Sequence, residues 1–314
     1  MTSSQSHPLQ MEQQWSQKAP MPIVRSHFGS AVWNGRIYVF GGGGEGFKSL
    51  NRVDIYDPVA NQWFPGRPMP TTRSGVVAVT LGDMIYVMGG GFKKPDGAFN
   101  FLTTVEIYDP KSDTWEKGQD LLMRHDAPAS TVLNQKIYLF GGHHPAARGG
   151  PLTDPATNFS EVFDAELKAW DALMPMPTPR FSLAAVTLGG KILAMGGGAF
   201  RDGVFRNYDL VEAYDPVGQA WIKQGDLSLP WPSAGLGGCV MHERVYVFGG
   251  NNGERIHSFG ACYDPKERRW AELPPMQEPR AAMGVVVLEG ILFVLGGRGA
   301  DNVPVNTVEA LSPV

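Results

Sequence analysis

Two cysteines in 314 residues are too few for a disulfide framework, so packing alone must hold this fold together. Charge is also scarce, at 18% of the chain, and the net −4 includes no run of Lys or Arg. A nucleic-acid partner calls for a basic stripe, so none is expected. The most apolar stretch, residues 284–297, is cut by Glu289-Gly290 and reads as two strands and a turn, not a membrane span. The polar start, MTSSQSHPLQMEQQW, lacks the apolar core of a signal peptide. These absences set the expectation of a soluble, cytoplasmic monomer. Glycine and proline, in contrast, are plentiful at 39 and 25, and they recur at intervals. That pattern predicts many short strands joined by tight turns.

The intervals come from a repeat. Gly-Gly pairs end apolar runs at Gly41, Gly89, Gly141, Gly196, Gly249 and Gly296, after RIYVF, MIYVM, KIYLF, KILAM, RVYVF and ILFVL. Each pair is followed by a second mark: VDIYDP, VEIYDP, SEVFDA, VEAYDP, GACYDP and VEALSP. In five units a tryptophan stands six residues after the Asp, at Trp63, Trp115, Trp170, Trp221 and Trp270. Each unit reads as a four-stranded meander, a to d, with strand b apolar on both faces as a sandwiched sheet requires. The outer-strand tryptophan can cover the seam between neighbouring sheets.

A Gly-Gly pair, then Tyr-Asp-Pro, then Trp, at intervals of about fifty residues, resembles the Kelch repeat. The resemblance covers residues 11–314 in six copies and implies an all-β, six-bladed propeller with four antiparallel strands per blade. The sixth unit ends at Leu311-Ser312-Pro313-Val314 without a fourth strand or a tryptophan. Trp15 stands ten residues before Arg25, as Trp63 stands ten before Arg73. Residues 11–17 are therefore expected to supply the outer strand of blade six and close the ring, which removes two sheet edges. Residues 1–10 are expected to form a flexible polar tail ahead of a single domain.

Spacing points to the functional face. From each Trp to the next Gly-Gly the interval is 26 residues, except 28 between Trp221 and Gly249. From Gly-Gly to the Asp position it runs 16, 20, 23, 19, 15 and 16. The variation thus sits in the b–c loops, which emerge on the same face as the d–a connections. Irregular loops on a rigid scaffold are where binding residues concentrate. These loops carry aromatics at Phe47, Phe92, Phe99, Phe101, Phe159, Phe200, Phe205, Tyr208 and Phe259, with Trp231 in the lengthened d–a loop. Candidate ligand-facing residues are His27, Arg73, Phe99, Arg124, His125, His143, Arg180, Phe200, Phe205, Trp231, Ser233, Asn251, His257 and Arg298.

The arginines carry a competing role. Arg25, Arg73, Arg180 and Arg280 each lie ten residues after a tryptophan; His125 fills that slot in blade three and Ser233 in blade five. Strand c has an acid at Asp54, Glu106, Glu161, Glu212 and Glu309, but Ala261 in blade five. The blade without the basic residue is also the blade without the acid. Ion pairing within each blade is the favoured expectation, while resemblance to Kelch domains that capture acidic peptides implies an anion site instead.

No metal motif is defensible among the histidines, and Cys239 and Cys262 fall inside strands a and c of blade five, where packing explains them. The copper-radical pairing of Cys with Tyr and the iron pattern Glu-x-x-x-Asp-x-x-x-His are both missing, so no cofactor is expected. No phosphate loop follows any Gly-Gly pair, because each leads to a strand and not a helix. No segment resembling a BTB or F-box domain precedes the repeats, an expectation against a ubiquitin-adaptor role. Two functions stay open. One is a binding module for a protein or peptide segment or a small polar, possibly anionic, ligand. The other, implied by resemblance to stand-alone Kelch enzymes, is a sugar-acid mutarotase-like isomerase with its site at the channel mouth.

Overall fold

In the computed structural model, which describes residues 14–147, 155–222 and 227–312, the repeats form six sheets around one axis. Blade one comprises Gly29–Trp33, Arg36–Phe40, Val53–Asp57 and Gln62–Gly66, paired in that order. Blades two to five repeat the meander, their inner strands being Ser74–Leu81, Ala129–Leu133, Ala184–Leu188 and Gly237–Met241. Blade six takes Gly284–Leu288, Ile291–Arg298 and Pro304–Leu311 from the C-terminal end, and Trp15–Lys18 from the other. The pairing Trp15↔Leu311 and Lys18↔Val308 closes the ring. The described strand starts at Trp15; the polar tail at 1–10 and the proposed strand residues 11–13 lie outside the described residues.

Closure works because each seam has its own apolar core. Six hydrophobic clusters each draw residues from two neighbouring blades, among them Tyr38, Phe40 and Tyr108 at one seam and Tyr56, Phe293 and Leu295 at another. The b strands reach zero exposure at Phe40, Phe140 and Phe248, as their two-faced apolar sequences require. Burying such a ring contributes about 1.5–3 kcal/mol. The tryptophans seal the outside. Trp63 Nε1 donates to the Ala19 carbonyl and Trp115 Nε1 to Arg67, in both cases just past the outer strand of the preceding blade. Trp15 donates in the same way to Pro274, so the N-terminal strand is fixed by the repeat's own device.

The b–c connections of blades two and four are not irregular loops. Strand b of blade two runs on to Lys93 and pairs with Phe99–Phe101; in blade four Gly198–Arg201 pairs with Val204–Asn207. Both hairpins stand up from one face of the ring and carry Phe99, Phe200 and Phe205, which line its mouth.

Candidate functional site

Six backbone N–H groups form the floor of the mouth. His27 donates to Ala282, Gly75 to His27, Ala127 to Gly75, Ser182 to Ala127, Gly235 to Ser182, and Ala282 to Gly235, at 2.7–2.9 Å. Each residue lies two positions after the start-of-strand slot held by Arg, His or Ser. All six have left-handed backbones, with φ between 50 and 71°. Four of them are not glycine, and the closed hydrogen-bonded circuit offsets the cost of about 1–2 kcal/mol each.

Below the floor runs a narrow axial channel of about 190 Å3; above it opens a cavity of about 450 Å3. That upper volume falls within the range of small-ligand sites. Its lining comes from all six blades. The residue directly after each Gly-Gly pair decides what a blade contributes. In blades one, two and four it is a third glycine. A Cβ there would meet Phe101 at 2.9 Å from Gly91 and Phe205 at 2.5 Å from Gly198, so the missing side chain lets the loop's own ring lie close. In blades three, five and six that residue is His143, Asn251 or Arg298, and its side chain faces the cavity.

The cavity is therefore divided. Across blades two to four runs a chain of rings: Phe99 on Phe101, Phe101 on His143 at 5.8 Å, His143 on Phe181 at 3.8 Å, Phe181 on Phe205, and Phe205 on Phe200 at 5.0 Å. Within it His143 Nδ1 meets Asp126 Oδ2 at 2.9 Å. Across blades five, six and one lie Asn251, Arg298 and His27. The Arg298 guanidinium sits over the Phe47 ring at 5.4 Å and meets no acid among the described residues. Burial pulls its pKa down from the ordinary arginine value. His27 Nδ1 lies 2.9 Å from Ser26 Oγ. Desolvation first, then Arg298 and His143, pushes its pKa down to about 3, so the ring is neutral at physiological pH.

Seven of the residues expected from sequence come together here: His27, Phe99, His143, Phe200, Phe205, Asn251 and Arg298. The others do not. Arg73 and Arg180 have zero exposure. Arg73 donates to Glu106 at 2.9 Å and to the carbonyls of Gly89, Thr104 and Val87. Arg180 repeats the pattern with Glu212. His125 places one ring nitrogen on the Gly141 carbonyl and the other on Glu161, replacing the arginine's two contacts. Ser233 keeps only the carbonyl contact, to Gly249. These four are removed from the ligand-facing set because their side chains point radially into the blade, between strands a and c, and not along the axis.

Arg124 is exposed, yet it does not line the cavity. Trp231 and His257 form a separate cluster with Phe259 in blade five, where Trp231 packs against the core that includes Ala261. The indole occupies the side of the blade that the arginine and its acid hold elsewhere. Phe101 and Phe159 also anchor structure: the first is buried, and the second packs on His125.

The lining also holds three large or charged side chains not expected there from sequence, Phe47, Asp126 and Phe181. Asp126 and Phe181 directly follow the strand-start slot, where the other blades have Ser26, Ser74, Ala234 and Ala281. That positional contrast was readable in the sequence. Among the described residues no cluster of His, Cys, Asp and Glu could hold a metal ion, and no helix is long and apolar enough to cross a membrane. Cys239 and Cys262 are free, with Tyr246 between them in the strand register.

Fold and site together define a six-bladed propeller with a polarised cavity at its loop face. The sequence profile of the Attractin/LZTR1 beta-propeller matches residues 5–259, and that of the Kelch motif matches residues 279–314. The chain belongs to the Kelch-repeat β-propellers. It is 30% identical over 244 residues to human Kelch-like protein 23, covering 62% of this chain and 41% of that protein. Kelch-like protein 36 of Bos taurus is 28% identical over 281 residues, 87% of this chain and 43% of the relative. Kelch-like ECH-associated protein 1A of Danio rerio matches at 35% over 98 residues, 30% of this chain and 16% of its own. The chain thus spans about two fifths of the first two of these relatives. A solved structure described as that of YjhT has the same fold, with a TM-score of 0.77 and 18% identity over 92% of this chain and 95% of its own.

Proposed function

We propose that this protein is a recognition module that receives a protruding segment of a partner protein in the channel-mouth cavity. The observation that carries this reading is the convergence of all six blades on one aromatic-walled cavity containing a guanidinium with no acid partner among the described residues. Charge-assisted contact to a buried or half-buried arginine orients a ligand, and aromatic walls supply contact area. A relative named for association with a partner, Kelch-like ECH-associated protein 1A, supports the choice of a protein over other ligands. The two free thiols fit a protein acting in a reducing compartment, the cytoplasm.

The test compares partner capture by the wild type, by Arg298→Glu, and by Arg124→Glu, whose side chain is exposed away from the cavity. A partner lost only with Arg298→Glu, and cross-linked to the mouth loops, supports the reading. A partner that persists in Arg298→Glu, or cross-links to the outer strands, overturns it.

A second reading rests on one pair. Asp126 and His143 make a hydrogen-bonded acid and base inside the cavity, beside a neutral His27. Such a pair can move a proton on a small acid bound at Arg298. Turnover of sugar acids that vanishes in Asp126→Asn while Arg298-dependent binding survives would favour this enzyme over the module.

A further inference from the structure

The division of the cavity specifies what it takes. We infer that its ligand class is a monoanionic carboxylate joined by a short spacer to a flat apolar group such as a phenyl ring. This rests on the mouth cavity being the binding site, and it adds which chemistry the site selects.

The charge argument comes first. Among the described residues, every other arginine facing inward is neutralised: Arg25 by Asp54, Arg73 by Glu106, Arg180 by Glu212 and Arg280 by Glu309. Arg298 has only the Phe47 ring beneath it. The one carboxylate in the lining, Asp126, is held by His143 and does not come within 4 Å of Arg298. The cavity therefore offers a single uncompensated cation. One carboxylate matches it, whereas a phosphate dianion would keep a second charge unpaired in a partly desolvated site. A cation would be repelled. Arginine's planar fork also suits two carboxylate oxygens. Asn251, on the same arc, adds a neutral donor, and His27 adds another if its Nδ1 accepts from Ser26.

The shape argument follows. Opposite Arg298, blades two to four present the unbroken line of rings from Phe99 to Phe200, with His143 stacked inside it. Its rings meet at centroid distances of 3.8 to 6.1 Å; Phe101 lies buried behind the line, while Phe99, His143, Phe181, Phe200 and Phe205 line the cavity. A further flat group can extend that line by offset or edge contact. The two halves lie across a single cavity of about 450 Å3, which calls for a short spacer. Such a ligand can be a free aryl-substituted acid, or an Asp or Glu beside an aromatic residue in a partner segment.

The experiment is an NMR titration of the intact protein with 3-phenylpropionate, 3-phenylpropan-1-ol, phenethylamine and phenyl phosphate, read at amides and methyls of the mouth. The expected result is saturable binding of 3-phenylpropionate at the cavity, at least tenfold tighter than any other probe. Arg298→Gln should weaken it tenfold or more, and Phe205→Ala should weaken it several-fold. Arg298→Lys guards against a folding artefact: it keeps the charge and should lose less than Arg298→Gln. Tighter binding of the alcohol, the amine or the phosphate at the same residues overturns the ligand class but leaves the mouth as the site. Mouth resonances that move with none of the four probes overturn the ligand class, while the proposed function then stands or falls separately on partner capture by Arg298→Glu. A parallel titration with N-acetyl-Phe-Asp-amide separates the sources. Tighter binding of the peptide points to a partner segment, tighter binding of the free acid to a small molecule, and either result supports the class.

Discussion

Arg280 and Arg298 belong to the same blade and lie 18 residues apart, yet they sit in opposite environments. Arg280 has zero exposure; it donates to Glu309 at 2.6 Å and to the carbonyls of Val294, Gly296 and Thr307. Arg298 faces the cavity over an aromatic ring, with no acid beside it among the described residues. The difference lies in the two layers of the ring. In the wall, strand c supplies an acid to each basic strand-start residue, and the guanidinium also ties down carbonyls where strand b ends. At the mouth, the position after Gly-Gly projects along the axis, away from strand c. Charge in the wall is structural, and charge at the mouth is available.

That contrast breaks most clearly at the wall. Arg280→Ala leaves the fully buried Glu309 without its cation and should cost about 3–5 kcal/mol. The double change Arg280→Ala with Glu309→Ala should recover part of the loss. Chemical denaturation of the four members of the cycle measures the coupling. A coupling near zero would mean that wall and mouth do not differ in the way described.

A smaller effect tests the blade whose charges are missing. His257 is 3% exposed, neither ring nitrogen has a hydrogen-bond partner among the described residues, and Phe259 stacks on it at 4.9 Å. Desolvation, then Arg255, pushes its pKa down to about 4. Since the unfolded chain takes up this proton near pH 6.5 and the folded state does not, stability falls as pH drops from about 6.5 to about 4. Allowing for partial solvent screening, the loss is on the order of 1–2 kcal/mol. His257→Phe should flatten the stability-versus-pH curve in that window. A slope unchanged by the substitution would show that the blade-five cluster is wet, and so closer in kind to the mouth than to the wall.

The smallest effect belongs to Arg298. Arg298→Gln removes a cation–π contact but no ion pair, so unfolding free energy should change by less than about 1 kcal/mol. A loss comparable to that of Arg280→Ala would place Arg298 in the wall after all.

Much of this could be read from the chain. The intervals between Gly-Gly, Asp and Trp define six blades, and Trp15 marks the strand that closes them. The paired loss of base and acid in blade five identifies the buried pairs, because Ser233 and Ala261 depart together. The mouth was harder to read. Arg73 and Arg180 start strands on the loop face, which placed them among ligand-facing candidates, but the rotamer that reaches Glu106 or Glu212 points them into the blade. Trp231 looked like a surface aromatic, yet it packs on the blade-five core. Phe181 stands out in the sequence by replacing the small residue that follows the strand-start slot in most other blades, but its ring contacts, His143 and Phe205, come from other loops and only the fold brings them together.

The sequence by itself determined how many sheets there are, how each is built, and how the first and last strands meet. Those follow from local periodicity and turn chemistry, and both are properties of neighbouring residues. Only the tertiary structure decided that the cavity has a charged side and an aromatic side. Arg298 and Phe47, from opposite ends of the chain, touch because the ring closes and sets blade six beside blade one. His143 enters a line of phenylalanines because blade three stands between blades two and four, which supply them from their hairpins and, at Phe181, from the lead-in to the inner strand of blade four. Linear spacing encodes each blade's contribution, but the angle around the axis, set by packing six twisted sheets into a closed circle, determines which contributions meet.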